Sequence, residues 1–315
     1  MLPVALVGAE LAAMTVAQRS TYKVVRAVAE VECYGFFDSI NCYDNAFVSL
    51  GPCHWTLGIV SGATVDEGEL CGYLAYLAAV EPDAFVAAIE FFGARVDEAW
   101  GADGDALYKD GQRKFAGWVA LQAEDGGFVR MEQKEAAGNF LKSWHWMYRY
   151  LMAARTISAF RRRMWDMARI RLRDLRAATL DGSTIGATFT SERAMGILLR
   201  WHIRFPGDVV AAANAGPRVR DALDRARDAR PTLAWTNRTT WTDAHEAALV
   251  QGLRDEVVQR GNANLSETIG YVDAWPQWAT GANPHGYQLD ATIGQLSEAR
   301  GSFVFAAEGL PPEPP

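Results

Sequence analysis

The spacing of apolar residues changes once, and sharply, early in the chain. From Tyr22 to Val31 they fall at 22, 24, 25, 28 and 31, which fits a helix and not a strand. Ser20 and Thr21 stand before this run and suit N-cap positions. The pattern fails at Gly35, so Glu32 belongs to the last helical turn or lies just past it. A carboxylate there opposes the helix dipole, which makes it a poor helix-stabilising device. After Gly35, the apolar residues Phe36, Phe37, Ile40 and Tyr43 alternate with Asp, Ser and Asn, and Ala46, Phe47, Val48 and Leu50 follow. This predicts a small hairpin over 36–58 with a polar turn near Tyr43-Asp44-Asn45, closed by Gly51-Pro52.

Downstream the helical period dominates. It covers 67–80 and 83–100, split at Glu81-Pro82, where Pro82 suits the first helical position and Asp83 the first turn. Residues 101–111 are turn-rich. A short helix is predicted over 112–123, stopped by Asp125-Gly126-Gly127. The longest helical stretch runs from Met131 to about Leu180, as two helices in line. Its second half is basic, from Arg149 through Arg155, Arg161, Arg162, Arg163, Arg169, Arg171, Arg173 and Arg176. Such a run reads as a solvated face bonded to acidic helices such as 81–105, or as a surface that attracts an anionic polymer. Asp181-Gly182-Ser183 breaks the chain. Helices are predicted over 190–204, capped by Thr190 or Ser191, then 208–229 with an interruption at Gly216-Pro217, and 242–260. A loop-rich section with Trp275 and Trp278 follows, then a helix near 289–300 and a Pro-rich tail. The fold class expected is mainly α (α+β), a helical bundle with a small β-hairpin. Residues 1–180 form one region carrying the hairpin. Residues 181–315 form a helical C-terminal lobe, either separate or part of the same unit.

Composition narrows the function. With 315 residues the chain can bury a substantial core. The net charge of −7 argues against a general nucleic-acid binder. No run reaches the ~18 apolar residues of a membrane span. The first residues, MLPVALVGAELAAMTVA, are apolar but lack a basic start and contain Glu10, which favours a buried helix over a secretory signal. The four cysteines, at 33, 42, 53 and 71, form no CxxC pair, and no histidine stands at zinc-finger spacing, so no metal and no cofactor are expected. Cys42 and Cys53 would pair across the hairpin in an oxidising compartment; otherwise all four are small buried hydrophobes. There is no Walker loop, dinucleotide fingerprint or GxSxG elbow. His145 and His202 read as packing groups.

Residues 31–58 hold the candidate chemistry. Glu32, Asp38, Asp44, Asn41, Asn45 and His54 crowd into VECYGFFDSINCYDNAFVSLGPCHWTLG. Cleaving a glycosidic bond needs a protonated acid beside the leaving oxygen and a second group on the other face. Glu32, flanked by Val31, Cys33 and Tyr34, is the candidate general acid, with Glu30 as its rival. Asp38 and Asp44 are candidates for the second role. Ser49, or Asn41 through its amide, is a candidate for holding a water. His54 and Trp55 are candidate substrate contacts, by hydrogen bond and by stacking.

A helix ending in a glutamate and followed by a small hairpin resembles the lysozyme-like superfamily, which includes phage-type lysozymes, lytic transglycosylases and chitosanases. The match runs through Glu32, Gly35, Phe37, Asp38, Ser39, Ile40, Tyr43, Asp44, Ser49, Gly51 and Trp55, about a tenth of the chain. It departs from the family pattern by the insertion Cys33-Tyr34. The resemblance implies a muramidase-like hydrolase of the β-1,4 glycan of peptidoglycan. It also implies action on the cell wall after release or injection, with a phage-tail or secretion-apparatus partner. A chitosanase-like hydrolase is one alternative. A catalytically inactive binding or structural component is another.

Overall fold

Helix α1 spans Val16–Cys33 and starts earlier than its apolar run suggests. Its true start is a capping box: Thr15 Oγ1 accepts from the Gln18 amide at 3.1 Å, and the Gln18 side chain accepts from the Thr15 amide at 3.0 Å. Ser20 and Thr21, suited to capping on sequence, lie buried inside the helix. They receive instead a strap from the other end of the chain. Ser20 Oγ donates to the Ser302 carbonyl and accepts from the Val304 amide. Thr21 Oγ1 donates to the Val304 carbonyl and accepts from the Ala306 amide.

This computed structural model describes residues 3–36, 38–41, 46–61, 64–66, 68–96, 108–109, 112–113, 119–130, 141–275 and 293–310. Among them α1 ends at Tyr34 and Gly35, both at positive φ, and the Gly35 amide returns to the Ala29 carbonyl at 2.8 Å. Gly35 is needed twice over. Its φ of 73° suits glycine, and a Cβ there would sit 2.1 Å from the Arg26 guanidinium. Cys33 and Tyr34 thus carry the end of the helix past Glu32.

The expected hairpin is present and gains a strand. β1 (Ile40–Asn41), β2 (Val48–Leu50) and β3 (Trp55–Leu57) form an antiparallel sheet in the order β1-β2-β3. Its register aligns Asn41 with Ser49 and Thr56 in one row, and Ile40 with Leu50 and Trp55 in the next. Rows alternate faces, so the pairing sorts polar from apolar. The turn at Tyr43-Asp44-Asn45 lies outside the described residues.

The longer helices that follow are α2 (Leu70–Val80), α3 (Pro82–Ala88), α4 (Trp144–Thr156), α5 (Ser158–Ala177), α6 (Glu192–Arg204), α7 (Pro217–Ala229), α8 (Asp243–Arg260) and α9 (Ala263–Asp273). Several sequence expectations need correction. The 83–100 helix stops at Ala88. Ala94–Val96 beyond it is a strand paired with Val119–Gln122, inside the segment expected as the 112–123 helix. Pairing partners distant in sequence override local helical period there. The loop-rich section after Gly261 contains α9. Residues 294–310 are irregular rather than helical, and part of them forms the strap on α1.

The basic face of α5 is solvated only in part: Arg162 is exposed, and Arg163 reaches Glu81 at 3.7 Å and Asp166 at 2.6 Å. Arg169, Arg171 and Arg173 are buried. Arg169 binds Asp166 at 2.5 Å and the carbonyls of Ala306 and Glu308 at 2.9 and 2.7 Å. Arg173 pairs with Asp174 at 2.9 Å. One apolar core runs across the break at 181: α6 and α9, from the C-terminal part, pack on α1. The architecture is mainly helical with small sheets. Among the described residues no helix is long and apolar enough to cross a membrane.

Candidate functional site

A cleft of about 690 Å³ opens where the end of α1 meets the β1–β3 sheet, the start of α2, and helices α6 and α9. Glu32 lines it and Glu30 does not. Two residues along a helix turn the side chain by about 200°, so the neighbours face opposite ways. Glu30 is fully buried and ion-paired with Arg26 at 2.8 Å.

Two carboxylate–guanidinium pairs set the electrostatics. Glu32 Oε1 lies 2.9 Å from Arg200 Nη1, both side chains being nearly buried. Arg200 Nε also donates to Thr268 Oγ1 at 3.0 Å, which ties α6 to α9. The second carboxylate of the cleft is Glu69, at the start of α2. Its Oε2 accepts from Arg171 Nη1 at 2.6 Å. Arg171 is fully buried and reaches α6 as well, donating through Nε to His202 Nδ1 at 3.2 Å and through Nη2 to the His202 carbonyl at 2.9 Å. Burial, and then the charge of Arg171, hold His202 well below the usual histidine value.

His54 follows the Gly51-Pro52 turn at a positive φ of 51°. Gly51 itself needs its missing side chain, because a Cβ would lie 2.6 Å from the Trp55 ring. His54 Nδ1 stands 3.1 Å from the Glu32 carbonyl and 3.6 Å from Glu32 Oε2. A carbonyl only accepts, so this bond puts the proton on Nδ1.

Ser49 and Thr56, neighbours in the polar row of the sheet, both line the cleft. Ser49 is 1% exposed, and its hydroxyl has no hydrogen-bond partner among the described residues. Glu32 Oε1, by contrast, is engaged by Arg200. Buried polar atoms are nearly always satisfied, so the Ser49 hydroxyl marks a place in the cleft where a ligand or water completes the bonding.

The other candidates stand elsewhere. Asp38 does not line the cleft. It pairs with Arg155 at 2.5 Å, which ties the sheet to α4. Trp55 is fully buried, stacked on Tyr73 with ring centroids 5.4 Å apart, so its faces serve the core and not a sugar. Asn41 stands opposite Ser49 in the strand register. Asp44 and Asn45 lie outside the described residues. Cys33, Cys53 and Cys71 are buried, and Cys42, the other half of the expected Cys42–Cys53 pair, lies outside the described residues. Burial pushes Cys33 up to about 12. Among the described residues no cluster of His, Cys, Asp or Glu is arranged to hold a metal.

Glu69, Arg171, Arg200 and Thr268 escape the sequence reading because none is near residues 31–58. One trace of them was present. On α5 the apolar stripe Met164, Met167, Leu175 contains Arg171 at helical spacing, a charge in a core position.

No protein-family model, curated protein or solved structure matches this chain. What the cleft does is therefore read from its own geometry.

Proposed function

We propose that the cleft cleaves the β-1,4 glycan of peptidoglycan, in an arrangement of the lysozyme-like kind. One observation carries this: the Glu32 carboxylate and the buried Ser49 hydroxyl, which has no hydrogen-bond partner among the described residues, line one cleft at the junction of a helix end and a small sheet. Glu32 protonates the leaving glycosidic oxygen. Ser49 holds the attacking water, and Glu32, a carboxylate once it has given up its proton, takes the proton that the water loses. Glu69, anchored by Arg171, is the second negative charge of the cleft and stabilises the positive charge that builds on the sugar ring. In this reading it takes the second role in place of Asp38, which does not line the cleft; Asp44 lies outside the described residues.

The Arg200 pair supports a second reading. A carboxylate held at 2.9 Å by a guanidinium is equally the arrangement of a binding or structural component without turnover. Turbidity clearing of purified peptidoglycan separates the two, with chitosan run in parallel. The wild type is expected to clear the peptidoglycan. Glu32→Gln is expected to lose about 100-fold or more of that rate, the scale of a general acid's contribution. A folded wild type that releases nothing from either polymer overturns the hydrolase and leaves the binding component.

A further inference from the structure

We infer that the cleft carries a carboxylate-recognition site built on Arg204, which directs it to acidic glycans and away from cationic ones. The inference rests on the glycan reading above and specifies the substrate class. Its basis is a charge imbalance. Among the described residues the acids lining the cleft are Glu32 and Glu69, and each already has a guanidinium, from Arg200 and Arg171. Arg204 lines the same cleft one helical turn beyond Arg200. It is exposed, and it has no carboxylate partner among the described residues. The nearby Asp208 is taken by Arg260 at 2.8 Å and by the Trp201 indole at 3.1 Å. A chain of net charge −7 thus presents a surplus positive charge in this cleft, among the described residues.

The neighbouring arginines feel one another. Arg200 is pushed below the usual arginine value by its burial, and further by the charges of Arg204 and Arg171, while Glu32 opposes this. An incoming anion relieves that crowding. A guanidinium matches a carboxylate with two parallel hydrogen bonds. Asn264 on α9 also lines the cleft and offers an uncharged amide to the sugar hydroxyls, while the Thr268 hydroxyl one turn on is engaged by Arg200 and the Asn264 carbonyl. The ammonium groups of chitosan would meet Arg204 with like charge, so the chitosanase-like alternative loses its electrostatic support.

Calorimetric titration of the full chain with four tetrasaccharides tests this. One is neutral (N-acetylglucosamine), one cationic (glucosamine), one carries the lactyl carboxylate of muramic acid, and one carries uronate carboxylates. The lactyl sugar is expected to bind about tenfold more tightly than the neutral one, the scale of one charge-assisted hydrogen bond, and the cationic sugar most weakly. Tighter binding of the lactyl sugar than of the uronate assigns the site to muramic acid; equal binding assigns it to sugar carboxylates in general. In Arg204→Ala the anionic-to-neutral ratio is expected to fall to about one, while Arg204→Lys keeps part of it. Equal wild-type binding of neutral and anionic sugars overturns the proposal, as do tightest binding of glucosamine and a preference that survives in Arg204→Ala. Clearing of peptidoglycan reads a separate property. Preference without clearing removes hydrolysis and keeps the carboxylate site, whereas clearing without preference removes the site alone.

Discussion

Glu30 and Glu32 are two residues apart on one helix and meet opposite surroundings. Each has an arginine, yet only Glu32 faces open space. Removing one member of a buried pair strands the other charge, which costs about 3–5 kcal/mol in a fully enclosed site. The cleft gives water access to Glu32, so Arg200→Met is expected to destabilise by less, about 2 kcal/mol. Chemical denaturation measures this. The double variant Glu32→Gln with Arg200→Met should recover part of the loss, because no charge is then stranded. Glu32 was legible in the sequence as the acid at a helix end. Its guanidinium was not, because Arg200 stands 168 positions later and nothing local links the two. Trp55 was legible as an aromatic beside the site, but stacking on Tyr73 depends on α2, which the sequence of the hairpin does not contain.

Helix α6 carries Arg200, His202 and Arg204, and its neighbours hold it firmly. At its start Ser191 Oγ accepts from the Ala194 amide, and the buried Glu246 accepts from the amides of Thr190 and Ser191, each at 2.8 Å. Farther along, Arg171 donates to His202, which requires an unprotonated Nδ1. In the unfolded chain a histidine takes its proton near 6.5. In the fold it does so only well below that. The unfolded state therefore binds more protons as pH falls past about 6.5, and stability drops. Denaturant midpoints are expected to hold above that pH and to decline below it, with the slope flatter in His202→Gln. The sequence showed α6 and its Thr190-Ser191 cap plainly, because both are local. It misplaced the start of α1, where a capping box precedes the apolar run, and it read the strands at 94–96 and 119–122 as helix. Strands of three and four residues take their identity from partners, and alternation over so short a span is indistinct.

One apolar core and one cleft span position 181, in keeping with the alternative that both parts form a single unit. The cleft takes Glu32, Ser49 and Glu69 from one side of that point and Arg200, Asn264 and Thr268 from the other. A chain cut after Leu180 keeps the candidate acid and loses the cation that opposes it, along with the helices that cover α1. Such a fragment is expected to lack a cooperative thermal transition by circular dichroism and to clear no peptidoglycan. Local period reveals which segments are helices. It carries no information on which helices share a wall, and this is why the candidate site was half visible at the outset.

The strap from Ser302 to Ala306 has a consequence for the order in which the protein is made. Thr21 leaves the ribosome 285 residues before Ala306, its hydrogen-bond partner. Throughout that interval the hydroxyls of Ser20 and Thr21, on the helix that presents Glu32, wait for main-chain partners not yet synthesised. The first long helix of the nascent chain is therefore among the last to be finished. Slow amide exchange at Val304 and Ala306 would mark the moment when the two ends of the fold are joined.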